Sequence, residues 1–280
     1  MATELQSRAR PVIRRSAGED AVSLDAVSFA YPAAGRGGAV QALEQVSLRA
    51  APGELLAVVG PSGCGKSTLL ELICGLQAPD AGRVACAPAV LMPQRDLLLP
   101  WLSAVDNAAL ALRIARLSRA EARQRADALF AELGLDGFQH ARPHELSGGM
   151  RQRVAFVRTL LSGKPLLCLD EPFGALDAIT RGEMQEWLAG TLAREPRTVV
   201  LVTHDVEEAV LLADRVVVLS PRPGRVLAQF EVELPRSGTL LGGHPDGHRQ
   251  AGDGPRQRTD PRVIALREQA LSALGTGARG

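Results

Sequence analysis

An α/β fold with a mainly parallel core sheet, an antiparallel β subdomain and an inserted helical subdomain is predicted by three features of this 280-residue chain. Short, wholly apolar runs at residues 55–59, 166–169, 199–202 and 216–219 are separated by helical patterns. Such runs suit strands covered on both faces and joined by crossover helices. An alternating stretch from Val22 to Tyr31, followed by a Gly-rich turn at 35–38 and a second arm at 45–49, suits an antiparallel hairpin with one buried face. From about residue 94 to 150 strand signals vanish and helical ones take over.

Taken in order, residues 1–20 carry Arg8, Arg10, Arg14 and Arg15. Glu19 and Asp20 then stand where a secretory signal would be apolar, so this stretch reads as a flexible, solvated tail. Residues 21–236 read as one domain. Within its helical insertion, Ser118-Arg119-Ala120-Glu121 forms a capping-box pattern that opens a helix closed by Gly134. Residues 237–280 read as a flexible extension rich in Gly, Pro, His and Arg, with a short helix at 263–274.

Bulk properties narrow the function classes. Hydrophobic residues are 46% and charged residues 22% of the chain, as in ordinary globular proteins. A net charge of +1 gives no global field for nucleic acid. Cys64, Cys74, Cys86 and Cys168 lack the close pairings of zinc sites or redox dithiols, which suits reduced cytosolic thiols. No apolar run approaches the roughly 20 residues of a spanning helix.

Gly60-Pro61-Ser62-Gly63-Cys64-Gly65-Lys66-Ser67 matches the phosphate-loop pattern G-x-x-x-x-G-K-[ST] between a buried strand and an apolar helix that begins near Thr68. Glycines allow backbone amides to wrap phosphate oxygens, and the helix N-terminus adds partial positive charge. In this pattern Lys66 bridges the outer phosphates of a nucleotide and Ser67 ligates Mg²⁺. Downstream, Leu166-Leu167-Cys168-Leu169 ends in Asp170 and Glu171. Asp170 can hold the metal and Glu171 can polarise water, although two acids at a strand end also suit a solvated loop or a helix cap.

Leu146-Ser147-Gly148-Gly149-Met150-Arg151-Gln152-Arg153 carries the distinguishing signal. Ser147 is placed to cap a helix with the apolar stripe Met150, Val154, Val157 and Leu161, leaving the Gly148 and Gly149 amides at its positive end. With the phosphate loop upstream and the acids downstream, this octet resembles the signature of ABC ATPases, and Met150 replaces the more usual Gln. The resemblance spans residue 22 to about 234. It implies a P-loop NTPase of the ABC type that uses ATP and Mg²⁺, with two copies sandwiching ATP between one loop and the partner's Ser147-Gly148-Gly149.

The same resemblance assigns Gln94 as the glutamine reaching Mg²⁺ and the attacking water, and His204 as the switch histidine near the γ-phosphate. It assigns Asp177 to the loop that reaches across the dimer and Tyr31 to stacking on adenine. Read singly, these residues equally suit a loop amide, helix caps and sheet-edge packing. Leu97-Leu98-Leu99-Pro100-Trp101-Leu102 is read as a grip for a membrane partner's helix, or as packing within the insertion. The Pro-Trp pair and Pro172-Phe173-Gly174-Ala175-Leu176-Asp177 resemble the nitrate, sulfonate and taurine importer group, which includes carriers of thiamine-precursor pyrimidines. That group implies a homodimer on the cytoplasmic membrane face, permease subunits and a periplasmic or lipid-anchored solute-binding protein. The alternative is a non-transport ABC ATPase in a soluble complex.

Overall fold

The computed structural model describes residues 20–32, 38–234 and 256–277. The expected N-terminal tail (apart from Asp20), most of the Gly-rich turn and the stretch 235–255 lie outside them. Strand β1 (Val22–Tyr31) pairs antiparallel with β2 (Val40–Ala50), and β4 (Ala81–Cys86) adds to its other edge. The main sheet runs β5-β6-β7-β3-β8-β9, from β5 (Ala89–Met92), β6 (Leu166–Asp170), β7 (Thr198–Thr203), β3 (Leu55–Val59), β8 (Arg215–Leu219) and β9 (Val226–Glu231). All its pairs are parallel except β8 with β9.

The apolar runs are buried on both faces. Leu55, Ala57 and Val59 of β3 face one core, while Leu56 and Val58 face the other. The first core also takes α5 (Gly148–Leu160), α6 (Ala178–Arg194), α7 (Val206–Leu212) and the helical insertion; the second takes α1 (Lys66–Ile73) and the antiparallel sheet. Register then decides what emerges together. Val59 lies beside Thr203, and Asp170 lies beside Val202, so the loops after β3, β6 and β7 leave the same sheet edge. In open parallel sheets that carboxyl edge is where ligands bind.

The insertion contains α2 (Ala104–Ala108), α3 (Leu110–Ile114), α4 (Arg119–Glu132) and a 3-10 turn at Pro143–Glu145. Asp106 knits α2 to α4 through Arg119 and Arg123, and these partners hold its carboxyl well below the usual range. Ser118 accepts from the Glu121 amide, but the Glu121 carboxylate pairs with Arg125 rather than closing the capping box. Leu98 is buried, whereas Leu97 and Trp101 are exposed.

Over 256–277 the expectation of a flexible extension is corrected. Helix α8 (Pro261–Gly277), longer than the expected 263–274, packs on α7 and the β8-β9 edge, with Val263 and Ala270 fully buried. Arg256 is also buried, donating to the carbonyls of Val210, Leu211, Ala213, Val232 and Leu234. The positional reason is that α7 ends with unpaired carbonyls, which a guanidinium satisfies.

Candidate functional site

The loop between β3 and α1 is shaped by its surroundings. Gly65 caps α1 with φ +104, and a Cβ there would come within 2.7 Å of the Ala42 carbonyl oxygen. At Gly60 a Cβ would meet the Cys64 sulfur at 2.8 Å. These two glycines are therefore required by the protein packed behind the loop, beyond any demand of a ligand in front. Cys64 is fully buried beneath it and its amide donates to the Pro61 carbonyl, so this amide is not among the inward-pointing ones the motif leads one to expect. Burial pushes its thiol pKa up, which disfavours the reactive thiolate.

In front of the loop lies a cavity of about 400 Å³. The loop contributes Ser62, Gly63, Gly65, Lys66, Ser67 and Thr68 to it. Gln94, Asp170, Glu171, Tyr31, Val40, Ala42 and Arg222 complete its lining. Lys66 is almost wholly buried, with Nζ donating to the Gly60 and Pro61 carbonyls at 2.8 and 3.0 Å. Asp170 accepts from Ser67, yet its pKa is raised, first by burial and further by the adjacent Glu171. A buried carboxylate bonded to a hydroxyl and facing a lysine is a setting that a hard cation with oxygen ligands would complete.

Glu171 sits at the centre. Its backbone is in the left-handed region, φ +45, where a non-glycine residue stores strain; its amide donates to the Val202 carbonyl and its carbonyl accepts from Gly174. The turn brings its carboxylate between two side chains. Gln94 Nε2 donates to Oε2 at 3.1 Å, and His204 Nδ1 lies 3.1 Å from Oε1. Residues far apart in the chain thus converge on one carboxylate.

Tyr31 is half-exposed, edge-on to Phe29 at 5.0 Å. Its hydroxyl bonds Thr68 and donates to Glu71, and burial raises its pKa. The ring stands at the mouth of the cavity. Ser147, Gly148, Gly149 and Asp177 do not line it. Ser147 caps α5, accepting from the Met150 amide at 3.2 Å, and its turn is exposed. Asp177 caps α6, accepting from the Ile179 and Thr180 amides, which lower its pKa. The cap of α7 is Asp205 rather than His204.

Sequence reasoning missed Val40, Ala42 and Arg222. The first two lie on β2, which starts earlier than the arm expected at 45–49. Arg222 stands in a Pro-rich turn with no motif of its own. A larger cavity of about 590 Å³ lies around Trp187 between α4 and α6, and none of the motif residues reaches it.

Residues 43–174 match the family model described as ABC transporter. The chain is 43% identical over 262 residues to the taurine import ATP-binding protein TauB of Chromobacterium violaceum, covering 90% of this chain and 95% of that protein. The chain belongs to the ABC transporter family. The TauB proteins of Rhizobium johnstonii and Pseudomonas putida are 41% and 38% identical, covering 86% and 90% of the chain and 92% and 95% of those proteins. Among solved structures, a dimeric ATP-binding cassette in a post-hydrolysis state, bound to ADP and phosphate, superposes with a TM-score of 0.69. Its identity is 30%, and the match covers 75% of this chain and 98% of that one. A second dimeric structure of the same cassette gives 0.68 at the same identity and coverage. The chain is thus an ATP-binding, ATP-hydrolysing importer subunit of the ABC class. Among the described residues, no helix is long and apolar enough to cross a membrane.

Proposed function

We propose that this subunit powers uptake of a taurine-type sulfonate from the cytoplasmic membrane face, with Glu171 as the group that orients the attacking water. The observation carrying this reading is the convergence of Gln94 and His204 on the Glu171 carboxylate at the rim of the phosphate-loop cavity. The substrate class comes from the relatives' names. A separate permease and a solute-binding protein outside the membrane complete the transporter. Two copies of the chain close head to tail over two ATP molecules.

Each residue has a physical task. The loop amides of Gly63, Gly65, Lys66, Ser67 and Thr68, the Lys66 ammonium and the N-terminus of α1 offset phosphate charge. Tyr31 offers a ring face to adenine. Ser67 and Asp170, with the Gln94 carboxamide, would hold Mg²⁺, which when bound supplies charge neutralisation at the outer phosphates. Glu171 holds water in line by accepting its proton-bearing hydrogen bond. His204 keeps that carboxylate oriented and can bond the γ-phosphate. Ser147, Gly148 and Gly149 present a helix tip to the ATP of the other copy, and Asp177 reaches the same boundary. Because those contacts exist only in the closed pair, ATP favours closure and its hydrolysis releases it.

Glu171→Gln preserves shape but removes the carboxylate. The variant should bind ATP, accumulate as a stable dimer on size-exclusion chromatography and fail to support taurine uptake in cells lacking the native subunit. Turnover equal to the wild type would remove Glu171 from its assigned role.

A further inference from the structure

His204 has a largely exposed side chain, and Glu171 is its charged partner. Its approach must therefore be set by its turn. Thr203 Oγ1 accepts from the Asp205 amide at 3.0 Å and bonds the Glu208 carboxyl. Asp205 Oδ1 accepts from the amides of Glu207 and Glu208 at 2.9 and 3.2 Å. Both chain neighbours of His204 are thus tied to the first turn of α7.

A cation from another helix reaches this turn. Arg181, one turn into α6, has Nη1 3.8 Å from Asp205 Oδ2, while Nη2 donates to the Leu176 carbonyl at 3.2 Å. Its own amide donates to the Asp177 carbonyl at 2.9 Å. One guanidinium therefore touches the segment that carries Asp177 and the cap of the helix that follows His204. Two buried polar atoms in the same cluster, Arg181 Nε and Glu208 Oε1, lack hydrogen-bond partners. Atoms of opposite character left unpaired in one buried cluster favour a shift that brings them together.

We propose that Arg181 is a positioning residue that, through Asp205 and Glu208, couples the Asp177 turn to the turn carrying His204. The inference rests on the site reading above, since it assigns Arg181 a role only in how His204 meets Glu171. A partner copy pressing on the Asp177 turn moves α6 at its first residues. Arg181 passes that displacement to α7 by redistributing its contacts between Asp205 and Glu208. The Asp177 segment and the histidine then move as one unit, and the hydrolytic carboxylate is completed when the second copy is in place. Arg181 lies outside the cavity and touches no phosphate-loop residue, so ATP affinity is not its task.

The test uses the full chain with Arg181→Ala, Arg181→Lys and Glu171→Gln. Arg181→Ala should lower kcat about ten-fold while leaving the KM for ATP within about two-fold, the pattern of a group acting only as the reaction proceeds. Arg181→Lys should recover part of kcat, because an ammonium can face Asp205 but cannot fork to Leu176 as well. In proton–carbon NMR spectra the His204 ring signal should shift in Arg181→Ala while those of His140 and His144 stay put. An unchanged kcat, or an unchanged His204 signal, overturns the coupling. If Arg181→Ala does not fold, Arg181→Lys carries the test, and wild-type kcat together with a wild-type His204 signal overturns it. Glu171→Gln separates the two readings: full turnover there defeats the site assignment, whereas a dead Glu171→Gln beside a fully active Arg181→Ala defeats only the coupling.

Discussion

The loop before α1 and the turns before α5, α6 and α7 serve the same chemistry in the proposed mechanism but are built differently. The loop is pinned from behind by the Ala42 carbonyl and the buried Cys64, and its Lys66 and the neighbouring Asp170 are almost wholly buried. Ser147, Asp177 and His204 are exposed, and each is set by a local cap or turn. Changes in the first region reach the core; under the proposed head-to-tail closure, changes in the second reach mainly the other copy. Folding and assembly are thus separable by position.

Gly65→Ala should break the comparison most severely. A Cβ at φ +104 and 2.7 Å from a carbonyl oxygen adds backbone strain of about 1–3 kcal/mol together with a clash. Denaturant titration should show the loss, and ATP binding should fail with it. Ser147→Ala should lose only about 1 kcal/mol as a missing cap. Its turnover should nevertheless fall at least about ten-fold and its ATP-dependent dimer should vanish, which a cap acting only on its own helix would not produce.

Glu208 sharpens the contrast through pH. Burial pushes its carboxyl from the ordinary 4.5 up to about 8, with Asp205 and Glu171 adding to the rise and Arg181 and Thr203 opposing it. The folded chain then holds a proton that the unfolded chain gives up near 4.5, so this group's contribution falls as pH rises from about 4.5 to about 8. Melting temperatures of Glu208→Gln and wild type should diverge with rising pH across that window, in favour of the variant. Asp177 gives the smallest effect and the opposite sign. The Thr180 amide and hydroxyl lower its pKa, so its stabilisation is full at neutral pH and fades as acid protonates it. Asp177→Asn, which keeps a capping oxygen, should match wild-type melting at neutral pH and diverge only in acid.

Legibility followed the range of each signal. Strands β1 and β3 could be read because alternation and continuous apolar runs are properties of adjacent residues. Strand β4 could not, since Ala81-Gly82-Arg83-Val84-Ala85-Cys86 is built of small residues and is exposed over its first half. Strand β9 is half-exposed along its length, so its burial contrast is weak. The phosphate loop, the acids and the Ser-Gly-Gly turn are contiguous motifs and stood out. The approach of Arg181 to Asp205 and Glu208 joins the start of α6 to the start of α7, and only tertiary folding creates it.

Arg256 acts as a bolt on the far end of α7. Shortening the polypeptide to end ahead of it would strip the carbonyls of Val210, Leu211 and Ala213 of their donor and bare the apolar side of α8's seat. A version trimmed at the edge of the ATPase motifs should clump or melt early even though every nucleotide-facing residue is still present.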